Sequence, residues 1–117
     1  MDLIQKHCVP CEGGVEPFTT SQAEVYLPQV AGWELSDNFK SISRRFKFKD
    51  FKSALAFVNQ IGAIAEAEGH HPDISFGWGY AEIKSFTHAI SGLSENDFIL
   101  AAKINKIVPE HVEGYHN

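Results

Sequence analysis

Three of the six histidines in this 117-residue chain, His70, His71 and His88, fall within a single window of nineteen residues. Imidazole changes charge near neutral pH, with an unperturbed pKa of about 6.5, so such a cluster suits proton delivery and removal. Two carboxylates stand close in sequence: Glu66, one helical turn before His70, and Asp97, three residues after Ser94. A carboxylate beside an imidazole favours one tautomer or the charged form. The set is fitted to acid/base chemistry that needs no strong nucleophile and no redox centre.

Each residue also has a plainer reading. A lone histidine after a helix is usually a solvated cap, although two in succession followed by Pro72 are held more firmly. Asp97 at the third position of a helix capped by Ser94 would interact well with free N–H groups and the helix dipole. Glu66 could be an ordinary exposed helix residue, and Trp78 could be core or could stack on a flat heterocycle. Three histidines with Glu66 or Asp97 also resemble a ligand set for zinc or non-haem iron. Against that, consecutive side chains in extended backbone diverge, and no His-x-x-x-His pair lies on a helix. No metal is expected.

The elements that must position these residues follow from hydrophobic periodicity. Residues 1–32 read as an N-terminal arm and a short helix, with Gly13, Gly14 and Pro17 in the arm. The helix is capped by Thr20 or Ser21, contains Ala23, Val25, Leu27 and Val30, and ends between Pro28 and Gly32. From Trp33 the pattern alternates: Ile42, Phe46 and Phe48 share one face, Ser43, Arg45 and Lys47 the other, after turn chemistry at Ser36-Asp37-Asn38. Asp50 caps a long helix with Phe51, Leu55, Val58, Ile61 and Ala65 at helical spacing, stopped by Gly69. A second hairpin turns near Gly79, its second strand running Ala81, Ile83, Ser85, Thr87 against Glu82, Lys84, Phe86, His88, with His88 closing it. Ser94 caps a last helix with Phe98, Ala101, Ala102, Ile104, Ile107 and Val108 as its stripe.

The order is ββαββα, which predicts an α+β two-layer sandwich: a four-stranded antiparallel sheet with two long helices on one face. The other sheet face and the edge strands are left to solvent or to another copy of the chain, so a homo-oligomer is expected. Residues 33–117 carry this sandwich, and the whole is one domain, since roughly 100–150 residues support a single core. Ten basic against fifteen acidic side chains give a net charge of −5. That balance argues against an electrostatic grip on nucleic acid or anionic lipid. The start of the chain lacks a basic stretch followed by an apolar run, so a cytoplasmic protein is expected; Cys8 and Cys11, beside His7, make half of a zinc site at best and are expected as reduced thiols, with a redox or metal role as the alternative.

Taken together, Glu66, three residues, His70-His71-Pro72, five residues, Trp78, nine residues, His88, eight residues, Asp97 resembles the signature of the pterin-4a-carbinolamine dehydratases. Thr87 before His88 and Gly92-Leu93 before the last helix fit it too. The resemblance runs from about Trp33 to Ile107, and the Cys8-Val9-Pro10-Cys11-Glu12-Gly13-Gly14 arm is similar to that of longer bacterial members. It implies dehydration of 4a-hydroxytetrahydrobiopterin, or a related 4a-hydroxytetrahydropterin, to the quinonoid dihydropterin and water, in pterin recycling after an aromatic amino acid hydroxylase. It maps His70 and His88 onto acid/base work, His71 onto holding and polarising the pterin, and Glu66 and Asp97 onto support. His71, Pro72, Phe76, Trp78 and Thr87 are the substrate-binding candidates. No cofactor is implied, and a dimer or tetramer is. Family members also serve as coactivator-like partners, so the alternative is a non-catalytic pterin-binding or protein-interaction module of the same fold. Ser85 departs from the pattern, standing where a large apolar residue is usual, with Phe86 beside it. Strand four is therefore expected to pack differently near His88.

Overall fold

The structure, a computed structural model, describes residues 2–10 and 16–109. Four strands form one antiparallel sheet: β1 (Glu34–Leu35), β2 (Ile42–Lys47), β3 (Asp73–Gly77) and β4 (Tyr80–Ser85). Their spatial order is β1-β2-β4-β3, so the two hairpins join through β2 and β4. Arg44 opposes Ile83 and Phe46 opposes Ala81 in that central pair. Three helices accompany the sheet: α1 (Thr20–Tyr26), α2 (Phe51–Glu68) and α3 (Glu95–Lys106). The expected α+β sandwich with its ββαββα order is what the chain forms, with α1 added before it.

Alternation sets the faces. Ile42, Arg44 and Phe46 of β2 and Ala81, Ile83 and Ser85 of β4 are buried beneath the helices, while Arg45, Lys47, Glu82 and Lys84 are exposed on the other face. Arg44 is the unexpected member of the inward set. Its guanidinium donates to the Ala31 carbonyl at 3.0 Å and to Asn105 Oδ1 at 2.8 Å, and lies 4.6 Å from the centre of the Phe46 ring. Hydrogen bonds and a ring face make a buried charge tolerable at a position that simple alternation gives to an apolar residue.

The helices differ from expectation in detail. Thr19, not Thr20 or Ser21, caps α1 in a capping box with Gln22, and the following Leu27–Gln29 forms a 3₁₀ turn. Val25, expected inside, is exposed, whereas Ala23 and Val30 are buried. Asp50 caps α2 by accepting from the Ser53 N–H at 2.8 Å. The stripe that α2 buries is Ala54, Phe57, Ile61 and Ala65, so Phe51 and Leu55 sit at its partly exposed margin. Helix α3 is buried on most of its circumference, from Asn96 through Ala102 and again at Ile104, because the arm packs on it as well as the sheet. Leu3 of the arm joins Ala23, Val30, Trp33, Phe46 and Phe98 in the same buried cluster, so Leu3, Ala23 and Val30 share the core of the sandwich. Cys11, Gly13 and Gly14, like His111 and His116, lie outside the described residues.

Helix α2 must stop at a defined residue for the histidines to leave it in the right direction. Gly69 does this with φ of 65°, and its N–H still bonds to the Ala65 carbonyl. A side chain at Gly69 would meet nothing within 4 Å, so the constraint there is conformational and not steric crowding. Gly69→Ala is therefore expected to lower unfolding free energy by about 1–2 kcal/mol, the cost of a left-handed non-glycine residue. Urea denaturation with an unchanged m-value would measure it; an unaltered midpoint would show that the stop does not depend on glycine.

Candidate active site

His70 and His71 occupy the junction between the end of α2 and the start of β3, held between Gly69 and Pro72. Their rings go to different carboxylates. His70 Nε2 lies 2.7 Å from Asp97 Oδ1, in an environment that leaves the imidazole 11% exposed and the carboxylate 0%. His71 Nε2 pairs with Glu66 Oε2, and both of those side chains are largely exposed. The first contact is an interior one and the second a surface one that solvent screens.

Asp97 is the best-connected side chain of the site. Its Oδ1 accepts from His70 and, at 2.6 Å, from the Ser85 hydroxyl. Its Oδ2 accepts from the Thr87 hydroxyl at 2.8 Å and from the Ser94 N–H at 3.0 Å. The last of these belongs to a capping box in which Ser94 reciprocally accepts from the Asp97 N–H. Since Thr87 donates its proton to Asp97, its oxygen is the acceptor in the 2.8 Å contact with the Ser94 hydroxyl. An ionised carboxylate only accepts, so the His70 Nε2 carries the hydrogen and a neutral ring keeps its lone pair at Nδ1. This gives His70 the arrangement of an oriented general base.

The expectation that His88 closes the fourth strand is corrected. Strand β4 ends at Ser85, and an isolated bridge between Thr87 and Gly92 closes a small loop. His88 begins the 3₁₀ turn His88–Ile90 inside that loop. The alternation persists through Thr87, which stays inward and buried, and His88 is exposed on the outward side. The His88 ring packs on Phe86, with centroids 4.2 Å apart and planes tilted by 46°.

A cleft of about 200 Å³ collects these groups. His70, His71, Thr87 and His88 line it, with Ala89 and Asn96 beside them and Val9 and Pro10 of the arm completing the wall. Phe76 and Trp78 are not brought there, which corrects their placement as walls of this cleft. Phe76 faces the helices, its ring centre 5.5 Å from that of Phe51 at the start of α2. Trp78 sits in the β3–β4 turn with 73% of its surface exposed. Five residue steps lead from Asp73 to Trp78, a span of roughly 17 Å at about 3.3 Å per residue. Pro72 stiffens the junction without lining the cleft. A larger concavity of about 430 Å³ lies at the loop between β1 and β2, with Lys40 and Lys84 on its rim. It contains no imidazole–carboxylate pair, so the smaller cleft is the one equipped for acid/base chemistry.

The part played by the arm rests on contacts that hydrophobic periodicity does not reveal. Cys8 donates its N–H to Glu68 Oε1 at 2.8 Å, and Glu68 Oε2 takes Lys103 Nζ at 2.6 Å and His7 Nδ1 at 3.3 Å. Burial pushes the Glu68 carboxyl up, but these three donors outweigh it and bring the pKa down to about 2. Burial, with Glu68 next to it, pushes the Cys8 thiol the other way, up to about 12, which makes it inert at neutral pH.

The comparisons with known proteins agree with this architecture. Residues 16–107 match the family model described as pterin 4 alpha carbinolamine dehydratase. A protein of Halorhodospira halophila that carries the provisional name pterin-4-alpha-carbinolamine dehydratase is 55% identical over 107 residues, covering 92% of this chain and 98% of its own. A similarly named protein of Methylococcus capsulatus is 48% identical over 108 residues, covering 92% and 95%. Among solved structures, the transcriptional coactivator/pterin dehydratase of Brucella melitensis superposes with a TM-score of 0.75 at 33% identity, covering 80% of this chain and all of that one. A pterin dehydratase-like protein identified as a RuBisCO assembly factor of the alpha-carboxysome gives a TM-score of 0.54 at 25% identity, covering 65% and 88%. The fold and these matches thus define a pterin-dehydratase-type α+β sandwich. The chain belongs to the pterin 4 alpha carbinolamine dehydratase family.

Two measurements probe this site. A group whose pKa is depressed on folding contributes stability above its unfolded value, and that contribution is lost as pH falls through the folded one. For Glu68 the window runs from the ordinary carboxylate value of 4.5 down to about 2. Stability of the wild type should fall across it, and Glu68→Gln should flatten that part of the curve; equal slopes would contradict the ion pair. Ser85→Ala should lower unfolding free energy by about 1–3 kcal/mol, because a buried carboxylate loses a donor. An unchanged thermal midpoint would contradict the Ser85–Asp97 bond.

Proposed function

We propose that the chain dehydrates 4a-hydroxytetrahydrobiopterin or a related 4a-hydroxytetrahydropterin, giving quinonoid dihydropterin and water, in the cytoplasmic recycling of a pterin used by an aromatic amino acid hydroxylase. The observation that carries this reading is the His70–Asp97 pair, whose imidazole lines a cleft that also holds His71 and His88. Loss of water from the carbinolamine requires one proton delivered to the departing hydroxyl at C4a and one removed from the adjacent ring nitrogen. The C4a–O bond breaks, the nitrogen lone pair forms the C4a–N double bond, and no electrons leave the substrate. One histidine in its basic form and one in its acidic form satisfy both transfers, and water carries away the hydroxyl.

In this scheme His70, with Nε2 fixed on Asp97, and His88, placed on Phe86, exchange the protons. His71, steadied by Glu66, holds and polarises the pterin, and Thr87 and Asp97 keep His70 in place. A second copy of the chain is the proposed protein partner, meeting it through the β3 edge or the open face of the sheet. The names of the two structural neighbours, a coactivator/dehydratase and an assembly factor, support a second reading, an interaction module of the same fold without turnover.

An assay on freshly generated 4a-hydroxytetrahydropterin separates the two. Wild-type protein should accelerate loss of water, and His70→Ala and His88→Ala should each lower the rate by about 10²–10⁴-fold, the usual contribution of one positioned acid/base group. Equal rates with and without wild-type protein would leave only the interaction module. Unaltered rates in both variants would remove the assigned residues while keeping the activity.

A further inference from the structure

We infer that the Val9–Pro10 segment of the N-terminal arm is the specificity-determining wall of the cleft, locked in place by Asn96; this rests on the pterin reading above. The segment has no core role to account for its position. Val9 is apolar yet 66% exposed, and both residues line the cleft that contains His70, His71 and His88. Apart from Ala89 and the Gly69 backbone, the rest of the lining is polar. Val9 and Pro10, with Ala89, are therefore the aliphatic side chains of the lining against which a flat bicyclic heterocycle could lie.

The arm is fastened residue by residue up to that point. Leu3 is buried in the core, Lys6 Nζ meets Glu95 at 2.9 Å, and the Cys8 N–H meets Glu68 at 2.8 Å. The last fastening is made by a side chain, not by secondary structure. Asn96 Oδ1 accepts from the Val9 N–H at 3.0 Å, and Asn96 Nδ2 donates to the Val9 carbonyl at 2.7 Å. This pair of bonds is what a neighbouring strand would offer Val9, and it fixes the backbone whatever the side chain of residue 9. Asn96 is itself 5% exposed and lies in the first turn of α3, directly before Asp97. One helical turn thus holds the base-orienting carboxylate and the clamp on the opposite wall.

With both ends of its carboxamide committed to Val9, Asn96 is a positioning residue. Its effect should appear in substrate affinity and not in the proton transfers. The test uses the full chain, with Asn96→Ala to open the clamp and Pro10→Gly to loosen the wall without touching any anchor. The readouts are KM and kcat for dehydration, Kd for a non-reacting dihydropterin by fluorescence quenching, and exchange of the Val9 amide. Asn96→Ala should speed Val9 exchange and raise KM and Kd by about tenfold while kcat stays within about twofold and its pH profile is unmoved. Pro10→Gly should shift KM and Kd in the same direction, and it carries the test if Asn96→Ala fails to fold. Unchanged KM and Kd in both variants would overturn the inference while leaving the dehydratase intact, as would unaltered Val9 exchange in folded Asn96→Ala or a fall in kcat at constant KM. Failure of the wild type to bind any reduced pterin would instead overturn the reading on which the inference depends, and the inference with it.

Discussion

A carboxylate with no exposed surface must be given hydrogen bonds by the chain around it, and Asp97 receives four, each from a different place. Ser94 lies at the start of α3, Ser85 ends β4, Thr87 begins the bridge beyond it, and His70 stands at the junction of α2 and β3. The charge can be buried only if all of these places meet. Breaking one contact leaves the others still committed to a charge that has lost a donor, which is why such networks behave as units and not as sums of pairs. The requirement that buries Asp97 is also the one that aims His70, so the stability of this end of the sandwich and the geometry of the proposed base have a common origin.

Much of this was legible in the sequence, because it depends on period and punctuation. Alternation from Ala81 to Thr87 assigned four inward positions correctly even though the strand stops at Ser85. Asp50 and Gly69 marked both ends of α2. Asp97 is more instructive: its reading as a helix-capping carboxylate and its reading as a site residue are both true, and local evidence could reach only the first. Oδ2 serves the helix while Oδ1 serves His70 and Ser85, and only the fold brings the second group of partners near. Trp78 shows the opposite failure. An aromatic a few residues after His70-His71 looks adjacent on the page, but an extended strand carries it some 17 Å away at about 3.3 Å per residue.

The arm escaped prediction for a related reason. Glycine and proline mark irregular chain without saying where it goes. The signals that dock it are polar residues in regular helices, Glu68 near the end of α2 and Asn96 near the start of α3, both of which pass for surface positions in a periodicity reading. Glu68 is a buried acceptor shared by Lys103, His7 and the Cys8 N–H, and Asn96 meets both polar groups of the Val9 backbone. A polar side chain on the buried surface of α3 is itself the clue, since burial without partners would be costly and the partners had to come from somewhere.

Ser85 and Phe86 bring these constraints together at the cleft. By the family resemblance a large apolar residue usually stands at position 85; here the bulk has moved one place along, and a one-residue step in alternating backbone moves it to the other face. The inward face gains a hydroxyl within 2.6 Å of Asp97 in place of apolar volume. The outward face gains a ring against which His88 packs at 4.2 Å. A smaller inward residue alone would leave a gap, and a larger outward one alone would leave Asp97 with one donor fewer. Together they give His70 and His88 each a separate support, one a hydrogen-bonded carboxylate in the interior and one an aromatic surface at the rim.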